Sequence, residues 1–314
     1  MHGGVNRLAN RGLRKLRELH FNQAASAVLD TPPVRAAANG ADDGLVIFSM
    51  IGTAVLFPYL IAAKSLHVQL GYGRFAVLDD GTLTASDKRV LREHLDDPVV
   101  YAIAEVEVGD CPRGGCWERL LTLLELRRDA YVIQLDSDTV TLGAVPEVVA
   151  AIARGRNFSL RGEADSEWLP VAQIGYDFAT LPASAHVQAR IEALLERVEV
   201  SLPQVSHYAR ACAGFAGFAP GGHTRELADA FSREAVRLLG AAAWAQWGSE
   251  QVMSNVIVSN EGKPPLLLPY DRYLNYWAEP KLGDAALVHF IGTYRYHRGT
   301  YRRAARQAIA ALQG

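Results

Sequence analysis

Cysteine is scarce in this chain: Cys111, Cys116 and Cys212 are the only three among 314 residues. So small and odd a number excludes a disulfide framework. Cys111 and Cys116 enclose Pro-Arg-Gly-Gly, but without further ligands at a plausible spacing they make a poor zinc site. Reduced thiols in a cytoplasmic protein are expected. Neither sign of charge is in excess, and a formal net charge of −2 offers nothing to attract nucleic acid. Long apolar runs are missing as well. The longest, residues 50–63, contains Gly52 and Pro58 and falls short of the roughly 20 residues that a bilayer-spanning helix needs. The basic N-terminus lacks a continuous apolar stretch, which argues against a secretory signal. What remains is a soluble globular chain, 49% hydrophobic and 21% charged, long enough for one large α/β domain or two small ones.

Residues 1–40 read as a basic helical extension and linker. Val5, Leu8, Leu13, Leu16 and Leu19 recur at near-helical spacing among Arg7, Arg11, Arg14, Lys15 and Arg17. A helix capping the domain through its leucine face is expected; the sharper alternative is a membrane- or partner-docking helix over 5–22. Thr31-Pro-Pro ends it, and 36–43 reads as a linker. From Gly44 onward strand and helix alternate. Strands are expected over 45–49, 74–78, 99–108 and 131–135. Helices are expected over 59–67, from Ser86, over 117–127 and from Pro146. This order predicts a largely parallel sheet with helices on both faces, and ligands beyond the carboxyl ends of the strands. Ser49, Asp79, Asp80, Asp136 and Asp138 fall there. The second half is less regular: helices over 184–200, 224–239 and 250–258 (with Ser249 as N-cap), a Gly-Ala-Phe-rich stretch over 212–222, and strands over 266–268 and 285–290.

The densest chemistry is Gln134-Leu135-Asp136-Ser137-Asp138 at the end of an apolar strand. Two carboxylates so spaced can hold one hard divalent cation, Mg²⁺ or Mn²⁺, whose other positions go to phosphate oxygens. Such a cation assists loss of a diphosphate leaving group. A solvated aspartate pair in a turn is the bland alternative. Far downstream, His289-Phe-Ile-Gly292-Thr-Tyr-Arg295-Tyr-His297 follows another apolar run. A neutral imidazole could complete the metal site, Gly292 would let backbone approach phosphate, and Arg295 could pair with it bidentately. A core histidine is the competing reading.

Together these segments resemble the retaining GT-A glycosyltransferases of family eight, the glycogenin and lipooligosaccharide galactosyltransferase group. The first strand with Pro58-Tyr59 and Lys64-Ser65-Leu66, the Asp79-Asp80-Gly81 turn, Glu118-Arg119-Leu120 and Asp136-Ser137-Asp138 all have counterparts there. His289-x-x-Gly292-x-x-Arg295 is similar to the family's terminal His-x-x-Gly-x-x-Lys-Pro-Trp. Here Arg295 stands for the lysine, and Tyr296 and His297 for Pro-Trp. Gly248-Ser249-Glu250-Gln251, continuing to Asn255, is similar to a helix start that faces the reacting sugar carbon in such enzymes.

The resemblance implies a single α/β domain of GT-A, Rossmann-like type with a mixed central sheet. Residues 41–145 would form the nucleotide-binding half, and 146–314 the acceptor and donor-sugar half, ending in a basic C-terminal helix. It implies Asp136, Asp138 and His289 as metal ligands, and Ser49, Asp79, Arg119, Asp136, Gly292 and Arg295 as nucleotide contacts. Glu250 and Gln251 would stabilise an oxocarbenium-like state. The expected activity is Mn²⁺- or Mg²⁺-dependent transfer from a nucleotide diphosphate sugar, a UDP-sugar by preference, with retention; inversion with Glu250 as base is the open alternative. The acceptor stays open among glycan, lipid, peptide and metabolite. Apart from the resemblance, Arg295, Arg298, Arg302, Arg303 and Arg306 make the C-terminus basic: a solvated helix face is expected, and an anionic acceptor or, with the N-terminal helix, the inner face of a membrane is the alternative.

Two rivals share these residues. Asp136-Ser137-Asp138-Thr139 also fits the D-x-D-x-T pattern of haloacid-dehalogenase phosphatases, with Asp136 as nucleophile and Asp138 as general acid. That fold opens with this strand and needs a later paired acidic motif, whereas here a long segment precedes it and no such motif follows. A catalytically silent nucleotide-sugar-binding module is the other.

Overall fold

The computed structural model describes residues 2–35, 44–174, 178–182, 184–200, 205–279 and 281–314; the expected linker over 36–43 lies outside them. The strands are β1 (Leu45–Ile51), β2 (Arg74–Asp79), β3 (Val99–Ala102), β4 (Tyr131–Leu135), β5 (Thr139–Thr141), β6 (Phe158–Arg161), β7 (Trp168–Pro170), β8 (His207–Ala209), β9 (Ala211–Phe218), β10 (Leu266–Leu267), β11 (Tyr273–Asn275) and β12 (Leu287–His289). The helices are α1 (His2–Ala25), α2 (Leu56–Leu70), α3 (Ala85–Leu95), α4 (Trp117–Leu126), α5 (Pro146–Ala153), α6 (Val187–Glu192), α7 (Arg225–Leu239), α8 (Ala241–Trp244), α9 (Ser249–Ser259) and α10 (Thr300–Gln313).

Apolar runs such as Leu45-Val-Ile-Phe become strands buried on both faces because helices cover the sheet on both sides. The main sheet runs β10-β6-β9-β4-β1-β2-β3. Neighbours from β4 through β1 and β2 to β3 are parallel, whereas β9 lies antiparallel between β4 and β6. The sheet is therefore largely parallel yet mixed, as the resemblance implied. One face is packed by α1, α2 and α10, with Phe21, Leu60, Ile133 and Ile309 in that core. The other is packed by α4, α6, α7 and α9, with Leu120, Val132, Ile191 and Met253. A small second sheet, β11-β12-β5, flanks the first.

Local signals explain the boundaries. Thr84 and Asp87 form a reciprocal capping box that starts α3, and Gly71 closes α2 at φ 81°. Several expectations need correction. The strand over 99–108 stops at Ala102, because β3 is an edge strand with exposed Val99 and Val100 and the chain turns away through Ile103–Glu105. The helix over 184–200 shrinks to α6 followed by a 3₁₀ turn at Leu195–Arg197; Val187, Ile191, Leu194 and Leu195 are buried even so. Ser249 is not the N-cap of α9. Gly248, at φ 100°, takes that place, and Ser249 Oγ accepts a 2.8 Å bond from Trp117 Nε1.

The N-terminal helix exists, and within its described side chains the leucine face is open. Leu16 and Leu19 are 54% and 63% exposed. The helix docks by its last turns, where Phe21 stacks on Tyr301 of α10 at 4.0 Å and Ala25 is buried. The side chains of Val5, Leu8 and Leu13 lie outside the described residues.

Lys64 joins α2 to α3 and to the segment that follows α1. Fully buried on α2, its ammonium donates to the carbonyl of Thr31 at 3.3 Å and to that residue's hydroxyl, and lies 3.1 Å from His94 Nδ1. Burial disfavours the charged form and pulls its pKa from 10.5 down to about 8. Between those values the unfolded chain holds a proton that the folded one has released, so folding stability rises with pH there. Denaturation midpoints at pH 8 and pH 10 should show this increment in the wild type and a smaller one in Lys64→Met. Equal increments would assign the rise to other groups.

Candidate active site

The site is assembled by strand register. Beyond Leu135 the chain leaves the main sheet as Asp136-Ser137-Asp138 and enters β5 at Thr139. β12 pairs antiparallel with β5, setting His289 opposite Thr139, and Phe290 N donates to the Asp138 carbonyl at 2.8 Å. His289 thus lands beside both acids, with Nε2 3.2 Å from Asp138 Oδ1 and 3.7 Å from Asp136 Oδ2. Ligand atoms of all three residues lie within 4.8 Å of one another.

The imidazole is held from behind. Its Nδ1 is 3.0 Å from Asn275 Oδ1. Asn275 Nδ2 donates to the carbonyls of Arg161 (2.7 Å) and Gly162 (3.3 Å), which turns the amide oxygen toward the ring. Asn275 therefore fixes a protonated Nδ1 and turns Nε2 toward the acids, where it could serve as a ligand once its proton is displaced. Burial lowers the pKa of His289, but the neighbouring Cys212 thiol (3.4 Å) and Asp138 outweigh it and hold it well above the ordinary value. Burial raises the pKa of Asp138, while His289 and Arg295 bring it below the ordinary carboxylate range.

Two carboxylates and the imidazole Nε2 converge on one point, where the imidazolium proton now sits and a cation could take its place. Separations of 3.2 and 3.7 Å suit neighbouring positions around one divalent cation, for which two carboxylates and an imidazole are ordinary ligands. Two arginines frame the cluster. Arg119 of α4 pairs with Asp136 and lies 3.3 Å from both oxygens of Glu250. Arg295 pairs with Asp138 and donates to the carbonyl of Phe290 at 3.1 Å. Burial raises the pKa of Glu250, and Arg119 opposes it. Gln251 sits beside it in the first turn of α9.

These groups open into a cavity of about 570 Å³ lined by Arg119, Asp136, Asp138, Glu250, Gln251, His289, Gly292 and Arg295. Trp247 and Trp277, 72% and 49% exposed, also border it. Ser49 and Asp79 do not. Ser49 is buried and donates to the carbonyl of Leu135 at 2.6 Å, fixing the end of β4 where the acids depart. Asp79 accepts from the amides of Gly81 (2.9 Å) and Leu83 (3.1 Å) and pairs with Lys88 at 2.7 Å. Both were expected to touch nucleotide; here Ser49 is engaged by a backbone carbonyl, and Asp79 by two amides and Lys88.

Sequence reasoning missed Asn275 and the use made of Gly214. A Cβ on Gly214 would lie 2.4 Å from His289 Cε1, so this strand glycine provides the space for the ring. A glycine inside a strand is itself a signal of close approach, whereas nothing in the sequence marks Asn275.

The sheet order and flanking helices define the fold of the GT-A glycosyltransferases. Among solved structures the chain is similar to an active-site mutant of LgtC, with a TM-score of 0.50 and 11% identity over 84% of this chain and 95% of that one. LgtC with donor and acceptor sugar analogs, there described as a galactosyltransferase, gives 0.49 at 11% identity over the same shares. WbbM, a bifunctional glycosyltransferase, gives 0.48 at 13% identity over 88% of this chain, which spans 53% of WbbM's length. No family model and no curated protein matches.

Gly214→Ala should displace the His289 ring. Mn²⁺ affinity measured by calorimetry should fall about 10- to 100-fold with the circular dichroism spectrum retained. Unaltered affinity in the folded variant would show that the imidazole is not a ligand.

Proposed function

We propose that this chain is a metal-dependent glycosyltransferase that moves a sugar from a nucleotide diphosphate, a UDP-sugar by preference, to an acceptor hydroxyl. The observation that carries this reading is the convergence of Asp136, Asp138 and His289 in one cavity with Arg119, Arg295, Glu250 and Gln251. Asp138 and His289 would bind Mn²⁺ or Mg²⁺ directly, with Asp136 assisting. A cation held there supplies Lewis-acid stabilisation to a departing diphosphate. Arg295 can exchange part of its pairing with Asp138 for phosphate oxygens, and Gly292 beside it leaves room for them. We assign 41–145 to the nucleotide and 146–314 to the donor sugar and acceptor, with the cavity drawing on both.

Retention is the favoured outcome. Both oxygens of Glu250 face Arg119, which leaves the Gln251 carbonyl to meet positive charge on the reacting carbon. The haloacid-dehalogenase alternative needs Asp136 as a free nucleophile, and Arg119 holds it. A screen of nucleotide sugars with Mn²⁺ should find one donor that releases nucleotide. Asp138→Asn should lower that release by at least about 100-fold at similar thermal stability. Full activity of the variant, or of the wild type in chelator, would remove the proposed role of the metal.

A membrane location rests on segregated charge. Helices α1 and α10, packed together, carry eight Lys/Arg and one Glu, so the remainder of a chain of net charge −2 is net −9. Exposed Leu16 and Leu19 lie among exposed Arg14, Lys15 and Arg17. No helix among the described residues is long and apolar enough to cross a membrane, so contact would be peripheral, at the anionic inner face. Co-sedimentation with phosphatidylglycerol vesicles and not with phosphatidylcholine is expected, weakened in Leu16→Ser/Leu19→Ser. Equal behaviour toward both vesicles would refute it.

A further inference from the structure

We propose that Glu192 and Gln188 are positioning residues that decide which end of the Gln251 carboxamide faces the cavity. This rests on the transferase reading, in which Gln251 meets the reacting carbon. The three residues form a directed chain. Gln188 and Glu192 are one turn apart on α6 and both buried, and Gln188 Nε2 donates to Glu192 Oε1 at 2.9 Å. Gln251 Nε2 donates to Gln188 Oε1 at 3.3 Å. At the far end, Ala213 N, on β9, donates to Gln251 Oε1 at 3.4 Å.

A primary amide looks nearly the same to its surroundings in either flip, so something without that symmetry must choose. Glu192 is that group. Asn255 Nδ2 donates to the carbonyl of Ala211 (3.1 Å) and to Tyr208 Oη (3.1 Å). The phenol must then point its own proton elsewhere, and it donates to Glu192 Oε1 at 2.8 Å. Arg210 Nε stands 3.7 Å from Glu192 Oε2. Burial raises the pKa of Glu192, but its Oε1 faces the Tyr208 hydroxyl and the Gln188 amide, and an oxygen that already receives the phenol's proton only accepts. Gln188 must present its NH₂ to it, and hence its carbonyl to Gln251. Gln251 must in turn spend its NH₂ on Gln188, which leaves its carbonyl oxygen for Ala213 N and the cavity. The second acceptor direction of that oxygen is available to a cationic carbon. With the opposite flip an NH₂ would face the carbon and repel it.

The test pairs Gln188→Met, which cuts the chain at constant bulk, with the double exchange Gln188→Glu/Glu192→Gln, which rebuilds it with the acceptor-only group next to Gln251. In Gln188→Met, kcat should fall roughly 10- to 100-fold with donor KM little changed, and side-chain NMR should show faster hydrogen exchange at the Gln251 NH₂. The double exchange should recover both. Unchanged NH₂ exchange in Gln188→Met, or a kcat loss that a well-folded double exchange fails to recover, would overturn the assignment. A wild type that turns over no nucleotide sugar would sink the transferase reading instead. The NMR comparison would still decide whether Glu192 sets the amide.

Discussion

Everything at the site depends on one short stretch of antiparallel pairing between β5 and β12. The acids leave the main sheet by themselves, as strand ends commonly do, but they need a third ligand and a wall behind it. Register alone supplies both: His289 opposite Thr139 puts an imidazole over Asp138, and Asn275 opposite His289 on β11 puts an amide oxygen behind the ring. Because side chains alternate across a strand, a slip of one residue would turn His289 to the other face and dismantle the cluster.

The electrostatics follow from that placement. Three acids, Asp136, Asp138 and Glu250, face two arginines and one imidazole in a largely buried pocket, where an unpaired charge would be costly. Each arginine is shared rather than saturated: Arg119 divides itself between Asp136 and Glu250, and Arg295 between Asp138 and a carbonyl. Such sharing keeps the charges ordered before any ligand arrives and lets a phosphate replace a carboxylate as partner without repacking the walls. A preorganised site of this kind spends little on rearrangement when charge develops.

Much of this could be read in the sequence, for definite reasons. The apolar runs at 45–49, 74–78 and 131–135 are long, β-branched and bounded by turn residues, so they matched β1, β2 and β4 closely. Asp136, Asp138 and His289 were legible because each follows an apolar strand and carries the right ligand chemistry. Ser49 and Asp79 fell at the correct strand ends, yet sequence cannot say whether a polar atom there meets a ligand or the next turn's backbone. Asn275 was invisible, since its partners are Arg161, Gly162 and His289, all distant in the chain. The antiparallel insertion of β9 was hidden for a similar reason: Gly214 and Gly217, placed for close approach to His289, Phe158 and Tyr131, and the alanines between them and beside them dilute the strand pattern.

The terminal helices are not appendages to this arrangement. Phe21 of α1 stacks on Tyr301 of α10 at 4.0 Å, and Tyr301 stacks on Phe290, the residue after His289, at 4.4 Å. The Tyr301 hydroxyl donates to the carbonyl of Ser137, between the two acids, at 3.3 Å. One aromatic column thus runs from the basic N-terminal helix to both halves of the acid–imidazole cluster. Close-packed rings transmit displacement rather than absorb it. The docking of α1 on α10 and the placing of the loop that carries Asp136 and Asp138 therefore share one aromatic support.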